Sequence, residues 1–189
     1  MIELDKQLFL FLNGLRSPFW DQVMWYVSET WIWVPLYLLF IYLIWKKYRG
    51  LIWVPLLAAA LLITLSDQVH LHLFKNIFER LRPSHEPSLE GMVHTVRNYA
   101  GGQYGFVSGH ATNSFAIATF VIAVIGKHYK YLTPLVLLWA VLVAYSRIYM
   151  GVHYPGDILG GMILGSAFGL GIGYACRKLL EQRVQIKDE

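Results

Sequence analysis

The segment from Asn98 to Gly126, NYAGGQYGFVSGHATNSFAIATFVIAVIG, contains no Asp, Glu, Lys or Arg over 29 residues, and Ile158 to Cys176, ILGGMILGSAFGLGIGYAC, contains none over 19. A bilayer core needs about 20 mostly apolar residues per helical crossing. The second stretch and the Phe106 to Gly126 part of the first therefore read as transmembrane helices, and the rest of the chain is read around them. Three more segments qualify: Met24 to Trp45, Leu51 to Phe74 and Tyr131 to Tyr149. Charged and titratable residues fall near their ends, with Glu29 in the first, Asp67, His70 and His72 in the second, and Arg147 in the third. The expectation is an all-α polytopic membrane bundle of five crossings, forming one domain over residues 1–189.

Composition agrees with this. The 189 residues are 56% hydrophobic, 15% aromatic and 15% charged, with a mean hydropathy of +0.45, which excludes a disordered chain, a coiled coil and a disulfide scaffold. Cys176 is the single cysteine, so no internal disulfide, zinc finger or dithiol redox site is available. The net charge of +4 is spread between apolar runs with no basic stripe, which suits membrane topology and not nucleic acid.

At the N-terminus, Leu4, Leu8, Phe11, Leu12 and Leu15 recur at helical spacing, with Asp5, Lys6 and Asn13 off the stripe. This pattern predicts an amphipathic helix within residues 1–18 lying on the membrane surface. A sixth, short crossing is the alternative. A positive n-region and a small-residue cleavage site are missing, so no cleavable signal peptide is expected.

Five crossings put the termini on opposite sides. Lys46, Lys47, Arg49, Lys127, Lys130, Arg177, Lys178, Arg183 and Lys187 then share one face, and Lys6, Arg16, Lys75, Arg80, Arg82, Arg97 and Arg147 the other. With Lys75, Arg82 and Arg147 assigned to a binding site, the count makes the first face cytoplasmic. Residues 177–189 become a cytoplasmic tail and 75–105 an external loop broken by Pro83, Pro87, Gly101 and Gly102.

Three polar clusters fall at crossing ends on the external side. Lys75 and Arg82-Pro83 are seven residues apart; a continuous helix would place both cations on one face about 10 Å apart, whereas Pro83 disfavours helix at Arg82 and would let it bend over the same pocket from the loop. Either geometry suits a multi-oxygen anion, and either residue alone could be a snorkelling anchor. Ser108-Gly109-His110 opens the third crossing, where free backbone N–H groups and the helix dipole favour an anion and His110 brings a proton donor. In the last cluster, Ser146-Arg147 is followed by His153 and Asp157. Pro155 suits the first position of the last helix, so the Asp157 carboxylate can meet the His153 imidazole and fix its tautomer. Arg147 can bind phosphate with two parallel hydrogen bonds.

Together, Lys75-x6-Arg82-Pro83, Ser108-Gly109-His110 and Ser146-Arg147-x5-His153-x3-Asp157 resemble the three-part signature of the type 2 phosphatidic acid phosphatase (PAP2) superfamily in order and spacing. The resemblance implies a metal-independent phosphatase or diphosphatase with no cofactor. It implies His153 as nucleophile, Asp157 as its orienting partner and His110 as the acid, with Lys75, Arg82, Arg147, Ser108 and Gly109 holding the phosphoryl oxygens. Val107 stands where the family often has proline, and five crossings stand where it commonly has six.

The implied protein is a bacterial-type inner-membrane lipid phosphatase with an extracytoplasmic site. Candidate substrates are undecaprenyl diphosphate, phosphatidylglycerol phosphate, phosphatidic acid and the phosphates of lipid A; the short external loop tilts the reading toward a polyprenyl diphosphate. The expected partners are the membrane lipid and the bilayer. A lipid-phosphate binder or transporter is the alternative, but it would need the cations without His153 and Asp157. A vanadium-dependent haloperoxidase shares the signature but is a large soluble protein. His70 and His72 point about 200° apart on a helix, against shared metal ligation. Asp67 can pair with a cation at the pocket rim, and Glu29 lies on the same outer side. Trp20, Trp25, Trp31, Tyr48, Tyr129, Tyr131 and Tyr149 read as interfacial belts.

Overall fold

The structure, a computed structural model, describes residues 2–188, with the side chains of residues 2, 73–76 and 184–188 outside the description. Its helices are α1 (Ile2–Gly14), α2 (Pro18–Ser28), α3 (Val34–Tyr48), α4 (Trp53–Gln68), α5 (Asn76–Phe78), α6 (Gly109–Ile125), α7 (Leu132–Tyr149) and α8 (Pro155–Asp188). A π-helical segment, Val69–Lys75, joins α4 to α5. Four stretches are long and apolar enough to cross a membrane: Trp53–His72, Gly109–His128, Leu132–Tyr149 and Pro155–Arg183. A fifth crossing is made when Pro18–Ser28 and Thr30–Leu51, bent by 71° to one another, are taken as one span.

That bend replaces the straight first crossing expected from Met24 to Trp45. Glu29 ends α2 in extended geometry, and Pro35 in the first turn of α3 lacks the N–H that a continuous ladder would require. The last crossing is longer than the apolar run, because α8 continues through the residues expected to form a tail.

α1 has 13 residues, a length of about 20 Å, too short for the hydrocarbon core. Its Phe9 and Asn13 are buried against the protein, while Leu4, Leu8, Phe11 and Leu15 are exposed. Most of the apolar stripe thus points away from the bundle, where lipid can cover it, while Leu12 packs partly against the core. The off-stripe residues make the attachments: Lys6 Nζ lies 3.1 Å from Glu86 Oε1, and Asn13 Nδ2 donates to the carbonyls of His94, Ile148 and Tyr149. Two aromatic residues assigned to the interfacial belts are instead internal. Tyr48 donates to the Val124 carbonyl and Tyr149 to Asp21 Oδ1, and both rings are buried.

The centre of the bundle is α6, packed most closely against α8. Gly161, Gly165, Gly169 and Gly173 recur every fourth residue and so line one stripe of α8. A Cβ at Gly161 would lie 2.7 Å from the Ser108 carbonyl oxygen, and one at Gly173 2.7 Å from the Ala123 Cβ; at Gly165 and Gly169 it would collide with the Thr112 carbonyl and the Thr119 hydroxyl. Without side chains there, the two backbones meet directly, the small-residue packing that substitutes for the hydrophobic effect inside lipid. Gly165→Val should lower stability by about 1–3 kcal/mol or more, as overpacking against backbone does. Gly171→Val, where a Cβ meets nothing within 4 Å, should change it little; thermal unfolding in detergent compares the two.

Candidate active site

The glycine seam registers two helix starts against each other. Ser108 is the N-cap of α6, its hydroxyl accepting from the Ala111 N–H, and the Ser108 N–H donates to the backbone carbonyl of Asp157 at 3.1 Å. α8 begins at Pro155, as expected, so Asp157 falls in its first turn. Just ahead, Gly151 at φ +77° turns the chain out of α7 and delivers His153, whose Nδ1 lies 3.5 Å from Asp157 Oδ2. His153 is 2% exposed and Asp157 is wholly buried. Nδ1 faces the carboxylate, and Nε2 is the other ring nitrogen.

The loop between α5 and α6 is folded back over this pair. Leu81 and Tyr104 form an isolated antiparallel bridge, with the Arg82 N–H donating to the Gln103 carbonyl at 3.0 Å and the Gly105 N–H to the Arg80 carbonyl at 2.8 Å. Arg82 is extended at ψ 155°, the bent geometry its proline neighbour favours and not the continuous helix. The loop backbone lies close on its side chain: a Cβ at Gly101, itself at φ +68°, would sit 2.6 Å from Arg82 Nη1. A Cβ at Gly105 would lie 3.1 Å from both Arg82 Cγ and Asp157 Oδ2.

His110, Gly109, His153, Arg82 and Arg147 line one cavity of about 640 Å³, bordered also by Ser28, Tyr99, Asp67, His70 and Asn113. All three clusters thus converge, with two qualifications. The Lys75 side chain lies outside the described residues. Ser108 is wholly buried and holds the helix start instead of bordering the cavity.

Arg82 and Arg147 are buried, and no carboxylate among the described residues pairs with either. Arg147 Nη1 donates to the Ser28 hydroxyl and its guanidinium faces the Tyr99 ring at 5.6 Å, but among the described residues neither its Nε nor Arg82 Nη1 has a hydrogen-bond partner. Burial, and then the charge of Arg147, push the Arg82 guanidinium below its usual pKa. Buried donors left unpaired and two like charges held together are costly on their own. A phosphoryl group would satisfy both, and the first N–H groups of α6 add further donors.

Arg80 has the opposite circumstances, and sequence reading had counted it only as a loop charge. Its Nη1 donates to Asp157 Oδ1 at 2.7 Å and its Nη2 to Asp5 Oδ2 at 2.6 Å. Burial works against its charge, but the Asp157 carboxylate and then Asp5 outweigh that and hold its pKa above the usual value. Of the residues left without a role, Asp67 Oδ1 accepts from Asn113 Nδ2 at 2.8 Å and lies 3.7 Å from His70 Nδ1; it pairs with no Lys or Arg among the described residues, which leave out the Lys75 side chain. His70 is buried at the cavity wall and His72 is exposed, the opposed orientation that helical geometry gives them.

The family model of the PAP2 superfamily matches residues 53–180. A lipid A 4′-phosphatase of Bacteroides thetaiotaomicron is 38% identical over 97% of this chain and 81% of its own length. One of Porphyromonas gingivalis is 37% identical over 89% and 71%. Among solved structures, LpxE of Aquifex aeolicus aligns with a TM-score of 0.66 and 26% identity, covering 89% of this chain and 94% of its own. A transmembrane PAP2-type phosphatidylglycerolphosphate phosphatase of Bacillus subtilis shares the fold at a TM-score of 0.63. On the strength of the family match, the near full-length relatives and a membrane-spanning helical fold, this chain belongs to the PAP2 superfamily.

Proposed function

We propose that the chain, a lipid phosphatase of the PAP2 type, removes a phosphate from a lipid A-type headgroup through a phosphohistidine. The observation that carries this reading is the pair of buried guanidiniums with unpaired N–H groups, facing an imidazole–carboxylate pair and a second imidazole in one cavity. Arg82, Arg147, Lys75 and the Gly109 N–H hold the phosphoryl oxygens, with Ser108 fixing the helix start that presents them. His153 Nε2 attacks phosphorus as the bond to the lipid oxygen breaks, and His110 gives that oxygen its proton. Asp157 stabilises the imidazolium character of His153. Water then attacks phosphorus, with the now neutral His110 taking its proton; the N–P bond breaks, freeing His153, and inorganic phosphate leaves.

An amphiphilic substrate fits the surroundings of the site. Tyr37, Ile63 and Ile117 border both the polar cavity and an adjoining groove between α3, α4 and α6, lined by Phe40, Ile44, Leu56, Ala59 and Phe120. A headgroup in the first places a hydrocarbon chain in the second. Two relatives that are 38% and 37% identical over 97% and 89% of the chain are lipid A 4′-phosphatases, whereas an undecaprenyl-diphosphatase of Sulfolobus acidocaldarius matches 87% of it at 26% identity; the higher identity supports a lipid A phosphate over the polyprenyl diphosphate that the short loop suggested. A putative undecaprenyl-diphosphatase of Escherichia coli matches over 45% of the chain. The basic-residue count supports an inner-membrane location with the cavity opening on the periplasmic face.

In a chelator, the detergent-purified protein should release phosphate from lipid A faster than from undecaprenyl diphosphate, phosphatidylglycerol phosphate or phosphatidic acid, and His153→Ala should abolish release from all of them. Release from none of the four, with lipid binding that survives His153→Ala, would instead support a binding protein. Arg82→Gln and Arg147→Gln should each weaken inorganic phosphate binding about 10- to 100-fold, the loss of a charge-assisted hydrogen-bond pair, as read by calorimetry. For sidedness, Met92→Cys in a Cys176→Ser background should react with an impermeant maleimide in cells with a permeabilised outer membrane. Labelling only after the inner membrane is opened would reverse the assigned orientation.

A further inference from the structure

The Asp157 carboxylate is held at both oxygens. Oδ2 faces His153 Nδ1 at 3.5 Å and accepts the Tyr154 N–H at 2.9 Å; Oδ1 accepts from Arg80 Nη1 at 2.7 Å. Behind Arg80 stands Asp5 of α1, whose Oδ2 accepts from Arg80 Nη2 at 2.6 Å and whose Oδ1 accepts the Gly156 N–H at 2.9 Å. The guanidinium also lies over the Tyr154 ring, 4.2 Å from its centroid. The resulting ring of contacts passes from Asp157 through Arg80 and Asp5 back to the first turn of α8. Gly156 leaves it room, since a Cβ there would come within 2.7 Å of Asp5 Oδ2 and 3.3 Å of Arg80 Nη1.

We infer that Arg80 and Asp5 are positioning residues that hold Asp157 ionised and oriented toward His153, so that the N-terminal helix completes the active site. Asp5 lies outside the residues matched by the family model. Two physical requirements lead to this. A wholly buried carboxylate stays ionised only beside a compensating charge, and Arg80 supplies one through its hydrogen bond to Oδ1, which together with the Tyr154 N–H on Oδ2 stops the carboxylate from rotating. An Arg–Asp pair alone, however, would be neutral and would offer little stabilisation to an imidazolium. Asp5 removes that difficulty, because the three groups together carry one net negative charge facing His153. Asp5 also grips the N–H of Gly156, which ties the height of α1 to the start of α8.

The inference rests on the reading of His153 as nucleophile and Asp157 as its partner, and the test separates the two. Turnover of a detergent-dispersed lipid phosphate is measured for Arg80→Gln, Arg80→Lys and Asp5→Asn, each alone and combined with Asp157→Asn, with melting in detergent recorded for every variant. Arg80→Gln should lower kcat by about tenfold or more with KM changed less than about twofold, the signature of a group acting on the transition state. Arg80→Lys should recover part of that loss, and Asp5→Asn should lower kcat by about three- to tenfold. In the Asp157→Asn background both effects should shrink to less than about twofold, because residues that act through one another are not additive. Equal losses in both backgrounds, or a raised KM at unchanged kcat, would overturn the positioning role while leaving the mechanism standing. An Asp157→Asn variant with wild-type kcat would overturn the mechanism and this inference with it. Where Arg80→Gln does not fold, Asp5→Asn and Arg80→Lys carry the same comparison.

Discussion

The structure depends on the direct backbone contact between α6 and α8. Four glycines at every fourth position of α8 let two transmembrane helices approach until carbonyl and Cβ atoms of α6 fill the space that side chains would occupy. Inside lipid there is little hydrophobic gain from helix association, so close van der Waals packing and a few hydrogen bonds must hold the register. The functional consequence appears at one end of the seam. The cap residue of α6 is bonded to the backbone of Asp157, so the α6 helix start and the histidine–carboxylate pair keep a fixed separation. α7 contributes Arg147 from its last turn, and the loop lays Arg82 across the top.

The arginines near this junction are used in contrasting ways. Arg82 and Arg147 are buried with donors unpaired, a state that an arriving phosphoryl group relieves and that therefore favours binding of charge. Arg80 is charge-paired with two carboxylates, one on each terminal nitrogen, so its charge is already compensated. In the proposed mechanism the same residue type thus serves substrate in one case and the protein's own carboxylate in the other, and the difference lies in which acidic residues the fold brings near. Asp5 is the deciding one. It reaches Arg80 because α1, too short to cross, turns its polar face inward onto the loop and Leu4, Leu8 and Phe11 outward.

Much of this was legible in the sequence because it depends on short spacings. The interval from His153 to Asp157 spans one helical turn, Pro155 marks where that turn starts, and the cap at Ser108 is a local pattern. The uncharged runs similarly announced the crossings. What escaped was either non-local or depended on tertiary packing. Asp5 and Arg80 are 75 residues apart in the chain, and no periodicity links them. The bend at Glu29 replaces a straight crossing because hydropathy averages over a helix break, and the burial of Tyr48 and Tyr149 escaped because an aromatic near a crossing end can face lipid or protein alike. Arg82 was legible as a choice between two geometries, which the bridge between Leu81 and Tyr104 decides.

The central claim is that this convergence of helix ends delivers a phosphoryl group to one imidazole. The direct measurement is rapid quench of the enzyme during turnover of a lipid A carrying radiolabelled phosphate, followed by proteolysis and localisation of the label. The account predicts an acid-labile, alkali-stable phosphoryl group on the peptide containing His153, absent in His153→Ala. It should accumulate when water attack is slowed. Turnover with no protein-bound label under conditions that trap it, or label confined to another residue, would contradict the account.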